Sequence, residues 1–442
     1  MFEMTGFLLA ILTGFLVLQL MRGRGERIDL PLDLFLSFGL GVGLYSQITF
    51  YQVVVCDGFD PHLLLVFAGL FLLIVILKLL RRKESFIVNA PSRSAIISFL
   101  LLMVPVLFFV TAVSINLPYG DWDAWSLWNF RANAIYRSAD TWWPVFHNEM
   151  QGKHPWLLPF WTVWGWGLAG HETVIVPIFT TLFMTMSVVG VLVFGLACFI
   201  PFKYAFLAGL FLVSVPFFIY HCASQYADIF TAFYLLSAAV ALRLFLAHNM
   251  RKHLLLFAAF LAFLAFSKDE GIVLAFLMAI FSPVLVTNNP FTRRSFLVLF
   301  GVLFMAVIYV EILMRTQVLP ATVIWSPYSS LDLRLLFDLS RWIELIRGVG
   351  RLLVMEPRAG CFMLLLAVAG VLTSRKPAGL FLRFLARVLG GFFLLFAFLY
   401  VGCTTDLDWR MSVTMSRLVY QIMPVAVFYM FLKVFAPVKE LP

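Results

Sequence analysis

Apolar residues run along the chain in long unbroken stretches, and polar residues gather between them. The stretches do not alternate with period two. Each is close to the ~20 residues that cross a bilayer as a helix. Lipid offers no partner to an open strand edge, so continuous runs of this kind favour helices. The pattern predicts about thirteen spans. Their limits are 4–21, 32–53, 63–79, 95–116, 173–200, 205–220, 229–247, 253–267, 271–287, 295–314, 359–373, 384–402 and 418–433. The segment 331–354 differs. Its Leu, Phe, Trp and Ile positions are interleaved with Asp338, Arg341, Glu344, Arg347 and Arg351. It reads as an amphipathic interfacial helix, either a lid or a surface anchor. The expected fold class is therefore an all-α polytopic membrane protein, one integral membrane domain over 1–442.

Composition agrees. Of 442 residues, 62% are hydrophobic and 12% charged, with a mean hydropathy of +0.98. Soluble domains are about 45–50% apolar and about 25% charged. A soluble enzyme, a disordered chain and a nucleic-acid-binding domain are all excluded. The net charge of +9 does not point to nucleic acid, because of where the charges fall. Arg22, Arg24 and Arg27 directly follow the first span, which places the N-terminus outside. Carried along the chain, this topology puts most of the 32 Lys and Arg inside and most of the 23 Asp and Glu outside. The basic excess then belongs to a membrane surface. The five Cys show no metal-ligand spacing. Cys56 and Cys403 fall on the same outer side, where a disulfide could form.

Two outer loops are long, 117–172 and 315–358, and a third, 403–417, is short but polar. Long loops in compact proteins usually carry function. In the first, Trp122, Trp125, Trp128, Phe130, Ile135 and Tyr136 are spaced for an amphipathic helix at the interface. Asp121 at its start reads as a helix cap or as an acid–base group. Asp123, between two Trp residues, suits general-base work on a hydroxyl or amine. The flanking aromatic faces suit sugar rings. Farther on, Lys153 and His154 either meet phosphate oxygens or belong to an ordinary wet loop. Glu172 stands at the top of the next span.

These residues resemble a family. The run D-W-D-A-W-S-L-W…R-A, followed by H-P-W-L-L-P, is similar to the first extracytoplasmic loop of GT-C membrane glycosyltransferases. That family includes protein O-mannosyltransferase-like and aminoarabinose-transferase-like members. Gln225-Tyr226-Ala227-Asp228 resembles the family's Y-A-D motif, and Ser267-Lys268-Asp269-Glu270-Gly271 its T-K-x-E-G turn. Thr414-Met415-Ser416-Arg417-Leu418, with Gln421 and Pro424, resembles a T-S-x-x-R-L…Q…P signature. The likeness covers roughly 95–290, a GT-C-like catalytic core, and 403–425. The segments 1–94 and 291–442 would add N- and C-terminal helices. One departure is that the acid pair is Asp-x-Asp and follows the fourth predicted span.

The resemblance implies an inverting transferase. It would move a sugar from a polyprenyl-phosphate or diphosphate donor, such as undecaprenyl phosphate, to a glycan, lipid or protein acceptor. The site would face the periplasm of a bacterial inner membrane and serve cell-envelope glycan synthesis. Asp123 or Asp121 would be the base. Arg131, His154, Asp228, Lys268, Glu270 and Arg417 would bind the donor and its phosphate, and Mg²⁺ or Mn²⁺ is an optional partner. Each residue also has a plainer reading. Asp228 would cap a helix, Lys268 and Glu270 would solvate a tight turn, and Arg417 would snorkel to the interface. Two other functions stay open. A lipid-linked-sugar flippase would carry polar groups in broken helices. A polysaccharide ligase or polymerase would use Arg334, Arg341, Arg347 and Arg351.

Overall fold

A computed structural model describes residues 2–22, 27–81, 87–138, 155–285, 331–354 and 379–436. It shows an all-α polytopic membrane protein. Among the described residues, the only strands are β1 (Arg27–Asp29) and β2 (Ile87–Asn89), which pair in parallel. They tie the connection after the first helix to the connection after the third.

The N-terminal helices are α1 (Thr5–Met21), α2 (Leu30–Cys56), α3 (Pro61–Leu80) and α4 (Arg93–Asn116). Asp60 caps α3 through the N–H groups of His62 and Leu63, and Ser92 caps α4 through Ala95. Small residues bring α1 and α2 together. A Cβ on Gly41 would lie 2.7 Å from the Ala10 Cα, and one on Gly14 would lie 2.9 Å from the Gly41 nitrogen. Lipid gives helices little hydrophobic reason to associate, so close backbone packing of this kind does the work. Gly41→Val is therefore expected to cost about 1–3 kcal/mol by overpacking, read as a lowered midpoint of thermal unfolding in detergent.

The central helices are α5 (Asn129–Arg137), α6 (Leu157–Ala169), α7 (Ile175–Ala197), α8 (Phe202–Val213), α9 (Pro216–Ala223), α10 (Asp228–His248), α11 (Arg251–Ser267) and α12 (Asp269–Phe281). Helix α10 is the axis of the bundle. Nearly every side chain from Asp228 to Phe245 is buried, against α7, α11 and the last helix. By contrast α3 and α4 turn apolar faces outward, as lipid-facing helices do. The C-terminal elements are α13 (Leu339–Val354), α14 (Leu380–Val401) and α15 (Leu407–Phe435).

Seven of these helices are long and apolar enough to cross a membrane: α2, α3, α4, α7, α10, α14 and α15. The expected spans at 295–314 and 359–373 lie outside the described residues. Those at 4–21, 253–267 and 271–287 correspond to shorter helices of 17, 17 and 13 residues. The expected span at 205–220 is instead two helices, α8 and α9, bent by 70°. Pro216 opens α9, and the residue before a proline is driven out of helical conformation; Val215 has φ −80 and ψ 109. The polar segment 403–417 is mostly helix rather than loop. Asp406 caps α15 by accepting from the Trp409 N–H at 2.7 Å, and no Gly or Pro interrupts the chain before Pro424. Cys56 and Cys403 are not joined in a disulfide. In the segment 331–354, Arg341 fastens α13 to the end of α14 by donating to the Val401 and Cys403 carbonyls. Phe337, Leu339 and Ile346 remain exposed there.

Candidate functional site

The loop helix that carries Asp123 is clamped before it begins. Gly120 has φ +76, and a Cβ there would sit 2.7 Å from the Ser224 carbonyl, so the turn needs a glycine. The Asp121 N–H donates to that carbonyl at 3.1 Å. Gln225, itself at φ +60, donates to the Pro118 carbonyl at 3.1 Å and accepts from Asn129 at 3.2 Å. These bonds fix the start of the loop helix to the turn between α9 and α10. Residues Ala124–Trp128 then wind as one π turn before α5, a device often found at functional sites. Trp122 and Trp125 stay exposed, while Trp128, Arg131 and Ile135 are buried.

The clamp brings Asp123 to a cluster built around Asp228. Asp228 is the first residue of α10, and its side chain is 1% exposed. Its Oδ1 accepts from Lys268 Nζ at 2.9 Å and Gln421 Nε2 at 2.6 Å. Its Oδ2 accepts from Arg417 Nη2 at 2.8 Å and Nε at 3.3 Å. The third guanidinium nitrogen, Nη1, reaches Asp123 Oδ2 at 2.5 Å. Lys268 also faces Glu270 at 3.3 Å. The guanidinium lies over the Tyr226 ring, 4.6 Å from its centroid. The Tyr226 hydroxyl accepts from the Asp123 N–H at 3.4 Å. Burial, with the Asp121 and Asp123 carboxylates, pushes the Tyr226 phenol up, so it stays neutral.

Three carboxylates thus meet two cations in a site half closed to water. Asp228, which binds both cations, is the innermost group. Asp123 is the more exposed of the two carboxylates that share Arg417, at 20% against 1%. An incoming anion would meet Arg417 from the Asp123 side. The bonds to the Asp228 carboxylate come from other elements, from Lys268, Arg417 and Gln421.

Asp228, Lys268, Glu270, Arg417 and Asp123, far apart in sequence, are brought together. Asp121 stands beside them. Its Oδ2 accepts from the Tyr220 hydroxyl at 2.9 Å and its Oδ1 from the Trp122 N–H at 2.7 Å. Arg131 lies behind the loop helix, fully buried between the Trp128 and Trp156 rings, at 5.4 and 5.6 Å. Burial lowers its guanidinium to about 9 and nearby Asp269 works against that, so it remains charged. It lies behind the mouth of the site, near Asp269 of the turn that carries Lys268. His154 lies outside the described residues, as does Lys153.

Tyr220 is an addition that the sequence did not single out, while Gln421 and Tyr226, named there only within motifs, join the cluster directly. Gln421 was accessible from spacing, since positions four apart share a helix face with Arg417. Tyr220 had no such signal, because its partner is 99 residues away. The residues do not fit a divalent cation. Each carboxylate of the cluster already faces Arg417 or Lys268, and those two charges occupy the place of a metal. Among the described residues no group of three metal-ligating side chains assembles elsewhere. No family model, curated protein or solved structure matches the chain.

Proposed function

We propose that the protein is a membrane glycosyltransferase of the GT-C type. It moves a sugar from a polyprenyl-phosphate donor to an acceptor at the extracytoplasmic face. The observation that carries this reading is the single guanidinium of Arg417, shared between buried Asp228 and the more exposed Asp123. A phosphate holder and a candidate base are thereby in contact. Arginine binds phosphate oxygens bidentately, and Lys268 adds a second positive charge held by the same carboxylate.

The residues fit a single displacement. Asp123 takes the proton from the acceptor hydroxyl or amine as that atom attacks the anomeric carbon. The bond from the anomeric carbon to the phosphate oxygen breaks, and the electron pair leaves with the phosphate. Arg417 and Lys268 stabilise the charge that develops there. One displacement inverts the anomeric centre. No step needs a metal.

Sidedness is supported by α10. Asp228 opens this helix and His248 ends it, a helix of 21 residues or about 31 Å at 1.5 Å per residue. Beyond His248 lies Lys252, within electrostatic reach of Asp29 and Asp33, in a region that also holds the buried Arg22–Asp33 pair. The β1–β2 pairing adds Arg27–Asp29 and Ile87–Asn89 to that end. Arg22 and Lys252 therefore lie toward the end of α10 opposite Asp228, which by the positive-inside rule supports an extracytoplasmic site.

The 70° break between α8 and α9 favours one other reading, a flippase for lipid-linked sugars, since transporters use broken helices. One experiment separates the two. Purified protein in liposomes is given radiolabelled polyprenyl-phosphate sugars together with candidate acceptors. Transfer of label to an acceptor is expected. Movement of the labelled lipid between leaflets without transfer would replace the transferase by the flippase.

A further inference from the structure

A cleft of about 390 Å³ opens beside the loop helix. One wall is the exposed face of that helix, where Trp125, Asn129 and Asn133 follow one another at helical spacing. The other wall comes from Trp166 at the end of α6 and from the Glu172 segment before α7. Tyr119 closes one end. The volume falls in the range of small-molecule sites, about 300–1,000 Å³.

The lining has two kinds of surface. Trp125, Tyr119 and Trp166 offer flat aromatic faces and edges. Asn129 and Asn133 offer short planar amides, which both donate and accept, and Glu172 a carboxylate, which accepts. These polar groups are held in place. Asn129 donates to the Tyr119 carbonyl and to Gln225, each at 3.2 Å. Glu172 accepts from Arg137 Nε at 2.5 Å and Nη2 at 3.0 Å, and from Asn133. The Trp166 indole donates to the Thr173 carbonyl at 2.8 Å, which fixes its ring. Hydroxyl-rich rings need this combination: apolar C–H faces lie on aromatic carbon, while the equatorial hydroxyls bond to fixed planar groups. Glu172 is the only acid among the lining residues, and Arg137 neutralises it, which suits an uncharged ligand better than a phosphate.

We infer that this cleft is a carbohydrate-binding site, separate from the Asp228 cluster, that seats the sugar of the acceptor. Sugar binding itself stands without the transferase reading, and only the acceptor role rests on it. The cleft and the cluster share the loop helix. Asn129 lines the cleft and bonds Gln225, three residues before Asp228. A sugar seated against Asn129 and Trp125 therefore lies beside the segment that carries Asp123.

Saturation-transfer NMR on the full chain in phospholipid nanodiscs tests this. The probes are the methyl glycosides of glucose, galactose, mannose and N-acetylglucosamine, with glycerol phosphate as a sugar-free anion. At least one glycoside is expected to bind saturably, glycerol phosphate is not, and binding is expected to weaken about tenfold in Trp125→Ala and in Asn133→Ala. Trp125 is half-exposed, so its loss leaves the fold intact. Failure of every glycoside to bind wild type overturns the inference, and so does equal binding by both variants. Glycoside binding that is lost in Trp125→Ala, in a protein that transfers nothing, keeps the cleft while the transferase reading falls. Transfer by wild type with an unchanged acceptor KM in Trp125→Ala removes the cleft while the transferase reading stands.

Discussion

Asp228→Asn is expected to abolish sugar transfer and to destabilise the protein by about 3–5 kcal/mol, the usual cost of breaking a buried ion pair on one side. The reason lies in the bonds this carboxylate makes. It accepts from Arg417, Lys268 and Gln421, and it is almost wholly buried. An asparagine keeps the shape but loses the charge. Two cations would then face each other across a neutral amide, with Asp123 and Glu270 as their remaining counter-charges. The two readings of Asp228 differ in size. A helix cap is worth about 1 kcal/mol, whereas Asp228 accepts from Lys268, Arg417 and Gln421 on other elements. Thermal unfolding in nanodiscs decides between them. The double variant Asp228→Asn/Lys268→Met is expected to recover part of the lost stability, because it removes a charge that the single variant strands. A single variant as stable as wild type would show that the cluster does not hold the helices together.

The sequence carried the fold class in its hydropathy, because lipid demands long apolar helices whatever the topology. It carried less about where helices stop. The apolar run at 205–220 looks continuous, and only Pro216 hints at the 70° bend. The polar residues of 407–417 looked like loop because charge was read as exposure, yet Asp406 starts a helix that runs through them. That error mattered for the site. It put Arg417 at the start of a span, whereas it lies ten residues inside α15, on the same face as Gln421.

The site residues themselves were legible as types. Acids beside aromatics, and a cation at the end of an apolar run, stand out in a chain with only 12% charged residues. Their pairing was not legible. Arg417 and Asp123 are 294 positions apart, and no local pattern links them. Arg131 shows the opposite limit. Its charge suggested a phosphate ligand, but it is fully buried between Trp128, on its own loop helix, and Trp156, farther along the same loop.

Asp123→Asn is expected to separate chemistry from structure. Transfer should fall by about 10²–10⁴, the usual contribution of a general base, while the donor KM changes little. Stability should barely move, since an ion pair at a partly exposed carboxylate is worth about 0.2–1 kcal/mol. The asparagine oxygen still accepts from Arg417, so the guanidinium keeps its place over Tyr226 and on Asp228. Asp121→Asn is the matched comparison. Asp121 is held by Tyr220 and by the Trp122 N–H, away from Arg417, and its loss should lower transfer far less. Initial rates of both variants, from one donor at several concentrations, give the answer. A dead Asp121→Asn beside an active Asp123→Asn would move the base to Asp121. Full activity in both would mean that the acceptor's proton goes to neither carboxylate, and the contact between Asp123 and Arg417 would then serve only to orient the guanidinium toward the phosphate.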